Sequence, residues 1–256
     1  MKRVSGWWVL PVSVWVAGAV LPAQVARADG LARSNRLAVS VLGFGLGSAS
    51  MGSFESFSND GSRALERVNP GLKVNGAPSS NVQVNAEISV RYYFDYHVLA
   101  QLGYGAIYNW SSADYAFGSA TGSVEYHNVV MELPILVGGY HTLLDRLYLY
   151  GAVGPNVFFF PRSYWDAEPS RSGLTDYKAD GGVGFTGLAG ADMVLAENFG
   201  VGFELRYRYL KAGELKTLKE GAVFTPSMLG AGSSSEPYEL DFSGISFGVY
   251  LRLFAM

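Results

Sequence analysis

The chain contains no cysteine, and that absence removes disulfide frameworks, thiol catalysis and cysteine metal sites together. Charge is also scarce: Asp, Glu, Lys and Arg make up 16% of residues, against roughly 25% in an ordinary soluble domain. Beyond the N-terminus no uninterrupted apolar run approaches the roughly 20 residues that a spanning helix needs, which excludes a helical membrane protein. Disorder is excluded as well, because 49% hydrophobic residues can build a core. What the chain does have is glycine, 32 of 256 residues, and aromatics at 14%. Its apolar residues must therefore be dispersed in a pattern other than long runs.

Residues 1–28 read as a secretory signal peptide. Lys2 and Arg3 form a basic start, Trp7 to Leu21 an apolar stretch, and Ala26-Arg27-Ala28 a small-x-small cleavage site in which Ala26 and Ala28 are the small residues. Cleavage there starts the mature chain near Asp29, and residues 29–256 are expected to form one domain. The mature chain keeps 16 basic against 22 acidic side chains, a net charge of −6. An acidic exported protein of this kind is no candidate for nucleic-acid binding.

The mature chain alternates with period 2 in segments of about ten residues, the rhythm of half-exposed strands. In 82–92, Val82, Val84, Ala86, Ile88, Val90 and Tyr92 fall on one face and Gln83, Asn85, Glu87, Ser89 and Arg91 on the other. In 201–209, Val201, Phe203, Leu205, Tyr207 and Tyr209 oppose Gly202, Glu204, Arg206 and Arg208. In 245–253, Ile245, Phe247, Val249, Leu251 and Leu253 oppose Gly244, Ser246, Gly248, Tyr250 and Arg252. Weaker copies occupy 98–110, 128–140, 147–159 and 182–195. A first segment at 36–47 has its faces blurred by Gly43, Gly45 and Gly47. The pattern predicts eight strands.

Connections alternate in length. Short turns fall around Asp95–His97, Thr142–Arg146 and Ala196–Phe199, and long connections at 48–80, 111–123, 161–179 and 211–240. Short turns at one end and long loops at the other mark an outer-membrane barrel with its long loops outside the cell. The expected fold is all-β: a closed up-and-down antiparallel transmembrane β-barrel of eight strands. An extra hairpin within 48–80 or 211–240 would make ten. A soluble β-sandwich would also alternate, but a sandwich seldom exposes so few charges.

Energetics set which face meets lipid. With the charged face of 201–209 outward, Arg206 and Arg208 would each cost roughly 2–4 kcal/mol near the bilayer midplane. The inward set is therefore Glu87, Glu132, Asp192 and Glu204 against Arg91, Arg206, Arg208 and Arg252. Four acids balance four bases, as a closed lumen requires. Aromatics near strand ends (Tyr92, Tyr93, Phe94, Tyr96, Tyr108, Trp110, Tyr140, Tyr148, Phe158 to Phe160, Tyr209 and Phe254) are expected to form interfacial girdles.

Three stretches resemble the small outer-membrane β-barrel domains related to OmpA and OmpX. Met131-Glu132-Leu133-Pro134-Ile135-Leu136-Val137 is similar to their central Glu-(Ile/Leu)-Pro-Leu strand. Tyr148-Leu149-Tyr150-Gly151-Ala152-Val153-Gly154-Pro155 is similar to the Tyr…Gly-x-Gly-Pro strand that follows it. At the C-terminus Ser246, Gly248, Leu251 and Leu253 match the signal read by the barrel-assembly machinery, although Ala255 and Met256 follow Phe254 where that signal ends on an aromatic. The resemblance implies the barrel fold and the assembly machinery as a partner.

Other constellations carry less. Gly182-Val183-Gly184-Phe185-Thr186-Gly187 fits G-x-G-x-x-G, but a dinucleotide site needs a strand before it and a helix after it, and here strand alternation continues instead. His97, His127 and His141 lack metal-ligand spacing. Lipid A deacylases place a serine two residues after a histidine like His127, where this chain has Val129. Lys211, Lys216 and Lys219 fall near the expected lipopolysaccharide head groups, as solvated charges or as phosphate contacts. No cofactor or metal is expected. The sequence thus reads as a monomeric, non-enzymatic barrel with a structural or surface-interaction role through four long loops, its partners outer-membrane lipid, lipopolysaccharide and an extracellular ligand of unspecified kind. Two alternatives stay open: a narrow porin-like channel gated by lumen Arg/Glu pairs, and an outer-membrane lipid-modifying enzyme.

Overall fold

The structure is a computed structural model, and it describes residues 36–49, 59–60, 63–64, 66–67, 69–75, 82–94, 97–117, 120–143, 146–167, 176–196, 198–217 and 237–255. The signal-peptide reading, with Ala26 and Ala28, falls outside these residues. In chain order the strands are β1 (Arg36–Ala49), β2 (Leu72–Asn75), β3 (Val82–Tyr93), β4 (Val98–Phe117), β5 (Ala120–Leu143), β6 (Leu147–Ala167), β7 (Asp176–Lys178), β8 (Gly182–Ala196), β9 (Phe199–Tyr209), β10 (Lys211–Glu214), β11 (Lys216–Thr217), β12 (Glu239–Asp241) and β13 (Gly244–Ala255).

Eight of them, β1, β3, β4, β5, β6, β8, β9 and β13, pair antiparallel in that order, and β13 returns to pair with β1. A ring has no edge, so the wall presents no row of unpaired backbone donors and acceptors, which hydrocarbon would not tolerate. The alternation read from the sequence becomes alternation across the wall. On β3 the polar residues Gln83, Asn85, Glu87, Ser89 and Arg91 are buried in the lumen, while Val82, Ile88 and Val90 are exposed on the outside. On β9 and β13 the same division puts Leu205, Phe203, Phe247 and Val249 outside and Arg206, Arg208 and Arg252 inside. The predicted G-x-G-x-x-G stretch is an ordinary part of β8.

Two expectations change. The connections expected at 111–123 and 161–179 carry strand: β4 and β5 stay paired out to Phe117↔Ala120, and β6 continues to Ala167. Above the membrane the wall simply keeps going. β7 continues the register of β8 on β6, from Phe158↔Gly182 to Arg162↔Lys178, and β11 continues that of β9. This part extends past the hydrocarbon core, so polar residues such as Ser112 and Asp114 can sit on the outward face, and the alternation that betrays a membrane strand fades. The extra strands β2, β7 and β10 to β12 cap or extend the ring and add no stave to it; the ring has eight strands.

The second change concerns the aromatics. Tyr93, Tyr148, Phe158 and Phe254 point into the barrel, each at most 3% exposed. They plug the lumen where girdle residues had been expected. The girdle itself is built from side chains such as Phe94, Trp110, Phe160, Phe185 and Tyr209, all exposed. Inward parity decides between the two roles, and near strand ends both faces carry aromatics. Phe160, with φ of 54°, is a non-glycine residue in the left-handed region, beside the register shift between Val129 and Met131 on β5. That bulge aims the ring outward, where it is 71% exposed.

Candidate functional site

The interior is layered. At the short-turn end an apolar plug gathers Ala38, Tyr93, Leu99, Leu136, Tyr148 and Phe254, with Tyr93 edge-on to Tyr140 at 4.9 Å and Tyr148 stacked on Phe254 at 6.4 Å. At the loop end a second plug brings Tyr126 and Phe158 of the barrel strands against Tyr177, Leu210, Leu215, Tyr238, Leu240 and Phe242. Tyr238 also donates a 2.7 Å hydrogen bond to Asp60 Oδ2. Burial and that carboxylate together push its phenol above the usual tyrosine range, so the hydroxyl stays protonated as the donor.

Between the plugs lie the charges, and β3, β5, β8, β9 and β13 bring all eight expected side chains into the lumen, each nearly fully buried. Six of them form one continuous network. Arg91 donates from Nη1 to Asp192 Oδ2 at 3.0 Å and from Nη2 to Glu204 Oε1 at 2.7 Å, and its Nε meets Gln101 Oε1 at 2.9 Å. Arg252 reaches Asp192 Oδ1 through Nε at 2.5 Å and also binds Glu204 and Ser40. Arg206 donates from Nε to Glu204 Oε2 at 2.7 Å and from Nη2 to Glu87 Oε1 at 2.9 Å. Tyr93 and Tyr150 add hydroxyl donors to Asp192, at 2.7 and 3.1 Å, and the Arg91 guanidinium lies 3.8 Å from the centre of the Tyr150 ring. The remaining pair stands toward the loop end: Arg208 Nε meets both oxygens of Glu132 at 3.0 and 3.1 Å, and Asn156 donates to Glu132 at 2.7 Å. The network is formally neutral, and each carboxylate accepts from more than one donor, which is what keeps buried ions tolerable.

Gly202 makes room for it. A Cβ at that position would overlap the Asp192 carboxylate and approach Arg252 Nε to 2.7 Å. Gly202→Val is accordingly expected to lower the thermal midpoint of the refolded barrel, whereas substitution at outward Gly151, where a Cβ meets nothing closer than 3.7 Å, should leave the unfolding free energy within about 1 kcal/mol of wild type.

A polar row not singled out from the sequence spans four strands beyond the charges: Gln83 on β3 faces Asn109 on β4, which faces Asn128 on β5, which faces Ser163 on β6. Alternation could have placed each one inward, but the row exists only through the register. The same holds on the outside, where His127 sits between the Tyr108 hydroxyl, bonded to Nδ1, and the Glu125 carboxylate, 3.4 Å from Nε2. Val129, in the position where a deacylase serine would be required, faces Tyr108 across the ladder. His97 and His141 come together at the short-turn end with ring centres 6.0 Å apart, and among the described residues no group of three or more metal-ligating side chains forms. Ser246, Gly248, Leu251 and Leu253 lie on β13, the strand that closes the ring, with Ser246 accepting a 2.7 Å bond from Arg208 Nη1.

Several solved structures are similar to this chain. OprG from Pseudomonas aeruginosa matches at 14% identity over 87% of this chain and 97% of its own, with a TM-score of 0.49. Ail of Yersinia pestis, in complex with the heparin analogue sucrose octasulfate, matches at 11% over 86% and 99% with a TM-score of 0.38, and Neisserial surface protein A at 11% over 86% and 96%, also 0.38. No curated protein sequence matches. The outer membrane protein beta-barrel domain family matches residues 15–252. With an eight-stranded antiparallel ring that is apolar outside and charge-neutral inside, the chain belongs to that family, and it is a protein of the bacterial outer membrane.

Proposed function

We propose that this barrel is a closed, non-enzymatic anchor whose extended outer wall is its working surface. The observation that carries this reading is the filled lumen. A continuous Arg/Asp/Glu network, buried on all sides, is capped at one end by Tyr93, Tyr148 and Phe254 and at the other by Phe158, Leu215, Tyr238 and Phe242. An eight-stranded barrel is just wide enough for its side chains to fill, and a solute would have to displace two apolar plugs as well as break paired ions. The wall in turn exceeds what anchoring needs. A transmembrane strand requires about 9–11 residues, whereas β4, β5 and β6 have 20, 24 and 21. The residues 1–28 export segment and recognition of the β13 signal by the assembly machinery complete the proposal.

Planar-bilayer recording of the refolded mature chain tests it. The expected result is a folded, heat-modifiable barrel without discrete openings. Reproducible single-channel steps would overturn the closed-anchor reading in favour of a narrow channel with the lumen Arg/Glu pairs as its gate.

A further inference from the structure

Outside the barrel, at the loop end of the strands, three cations stand in one row. Arg162 on β6 is directly opposite Lys178 on β7, and Lys178 is directly opposite Lys216 on β11. All three are on the outward face, since their neighbours Pro161, Ser163, Tyr177, Ala179 and Leu215 are buried inward. Adjacent strands lie only about 4.8 Å apart, and like charges directly opposite each other weaken a ladder. Asp180 answers one of the three, with a carboxylate oxygen 2.5 Å from Lys216 Nζ. Among the described residues no acid lies within ion-pair distance of Arg162 or Lys178. The nearest acids along the strands are Asp176 and Asp180, two residues to either side of Lys178, and then Glu125 and Asp166, which face each other four residue pairs beyond Arg162 along β5 and β6.

The row also has a definite place. It begins two residues beyond Phe160, the most protruding aromatic of the wall's loop end, and Lys211 nearby lies 5.7 Å from the centre of the Tyr209 ring. Exposed aromatics mark the membrane interface, so the cations sit where the outer leaflet presents its head groups. In a bacterial outer membrane that leaflet is lipopolysaccharide, whose lipid A carries phosphates. A guanidinium can take a phosphate bidentately, with an ammonium beside it as a point charge.

We propose that the Arg162–Lys178–Lys216 row is a binding site for a phosphate group of lipopolysaccharide. The phosphate would bridge Arg162 and Lys178 and relieve their mutual repulsion, with Lys216 held at the end of the row by Asp180. The site gives the extended wall its first contact with the surrounding leaflet. This inference rests on the anchored, outward-facing wall proposed above. It is tested in detergent solution, where the answer does not depend on whether the lumen conducts, so the failure of either reading is seen separately.

The experiment measures binding of bis-phosphorylated lipid A and of its dephosphorylated form to the refolded mature barrel, to the double variant Arg162→Ala/Lys178→Ala, and to the exchange Arg162→Lys/Lys178→Arg. Wild type and the exchange variant are expected to prefer the phosphorylated lipid. The double alanine variant should bind it at least ~10-fold more weakly, no better than wild type binds the dephosphorylated form. Equal affinity of wild type and the double variant for phosphorylated lipid A would overturn the site, and so would a wild type indifferent to phosphate. Should the double variant fail to show heat-modifiable migration, the comparison of the two lipids on wild type still decides.

Discussion

Glu204→Ala is expected to cost the barrel on the order of 3–5 kcal/mol, the usual cost of breaking a buried ion cluster by removing one partner. Glu204 is the common acceptor of the lumen: Arg91, Arg206 and Arg252 all donate to it, and the Tyr150 hydroxyl joins them at 3.0 Å. Without it three guanidinium groups share Asp192 and Glu87, and the five remaining members carry one uncompensated positive charge in a buried site. The urea midpoint of the refolded protein should fall, and the compact band on unheated gels should be lost at a lower temperature. Arg206→Ala strands Glu87 and half of Glu204 in the same way. Because the two residues serve one cluster, the double variant Glu204→Ala/Arg206→Ala should cost less than the two single costs added together. An unchanged midpoint for Glu204→Ala would mean that the cluster does not hold the barrel together.

One residue further along the same strand the opposite physics applies. Leu205 is outward and 54% exposed at the centre of β9, against lipid. Leu205→Arg is expected to cost roughly 2–4 kcal/mol, as for a cation near the bilayer midplane, and to reduce the fraction of chains that insert into vesicles. Leu205→Ala keeps the face apolar and should insert nearly as wild type does. Efficient insertion of the arginine variant would show that β9 is turned the other way round, and would move Arg206 and Arg208 to the lipid with it.

That opposition between neighbouring residues was readable in the sequence because lipid tolerates no exceptions. Val201 to Tyr209 alternate without a break, and one arginine in the wrong register decides the face. Where the demand lapses, legibility lapses. Ser111 to Asp114 look like loop because nothing apolar has to cover their outward side, yet they form the wall of β4. Gly43, Gly45 and Gly47 blur β1, where the register on both neighbouring strands shifts just after Ser40. For the site, the identity of the eight inward charges followed from parity, but their partners did not. Arg91 meets Asp192 and Glu204 because of the stagger with which the ring closes, a property of the whole sheet that no single segment encodes. The cation row on the outside has the same origin: Arg162, Lys178 and Lys216 are far apart in the chain, and only the continued registers of β7 and β11 line them up.

The pairing of β13 with β1 also bears on the order of events during assembly. Arg252 and its partner Ser40 are separated by 212 positions, and Arg206 and Glu87 by 119. Contacts of such separation are late and slow to form, since the intervening chain must first be brought round. Until the last strand docks, Arg252 is missing from the cluster and Asp192 and Glu204 lack one of their donors, and a half-made sheet would carry unpaired charge toward hydrocarbon at a high cost. Burial of the ions and closure of the ring must therefore coincide. A closed cylinder with its ions paired thus enters hydrocarbon at far lower cost than an open sheet of the same strands.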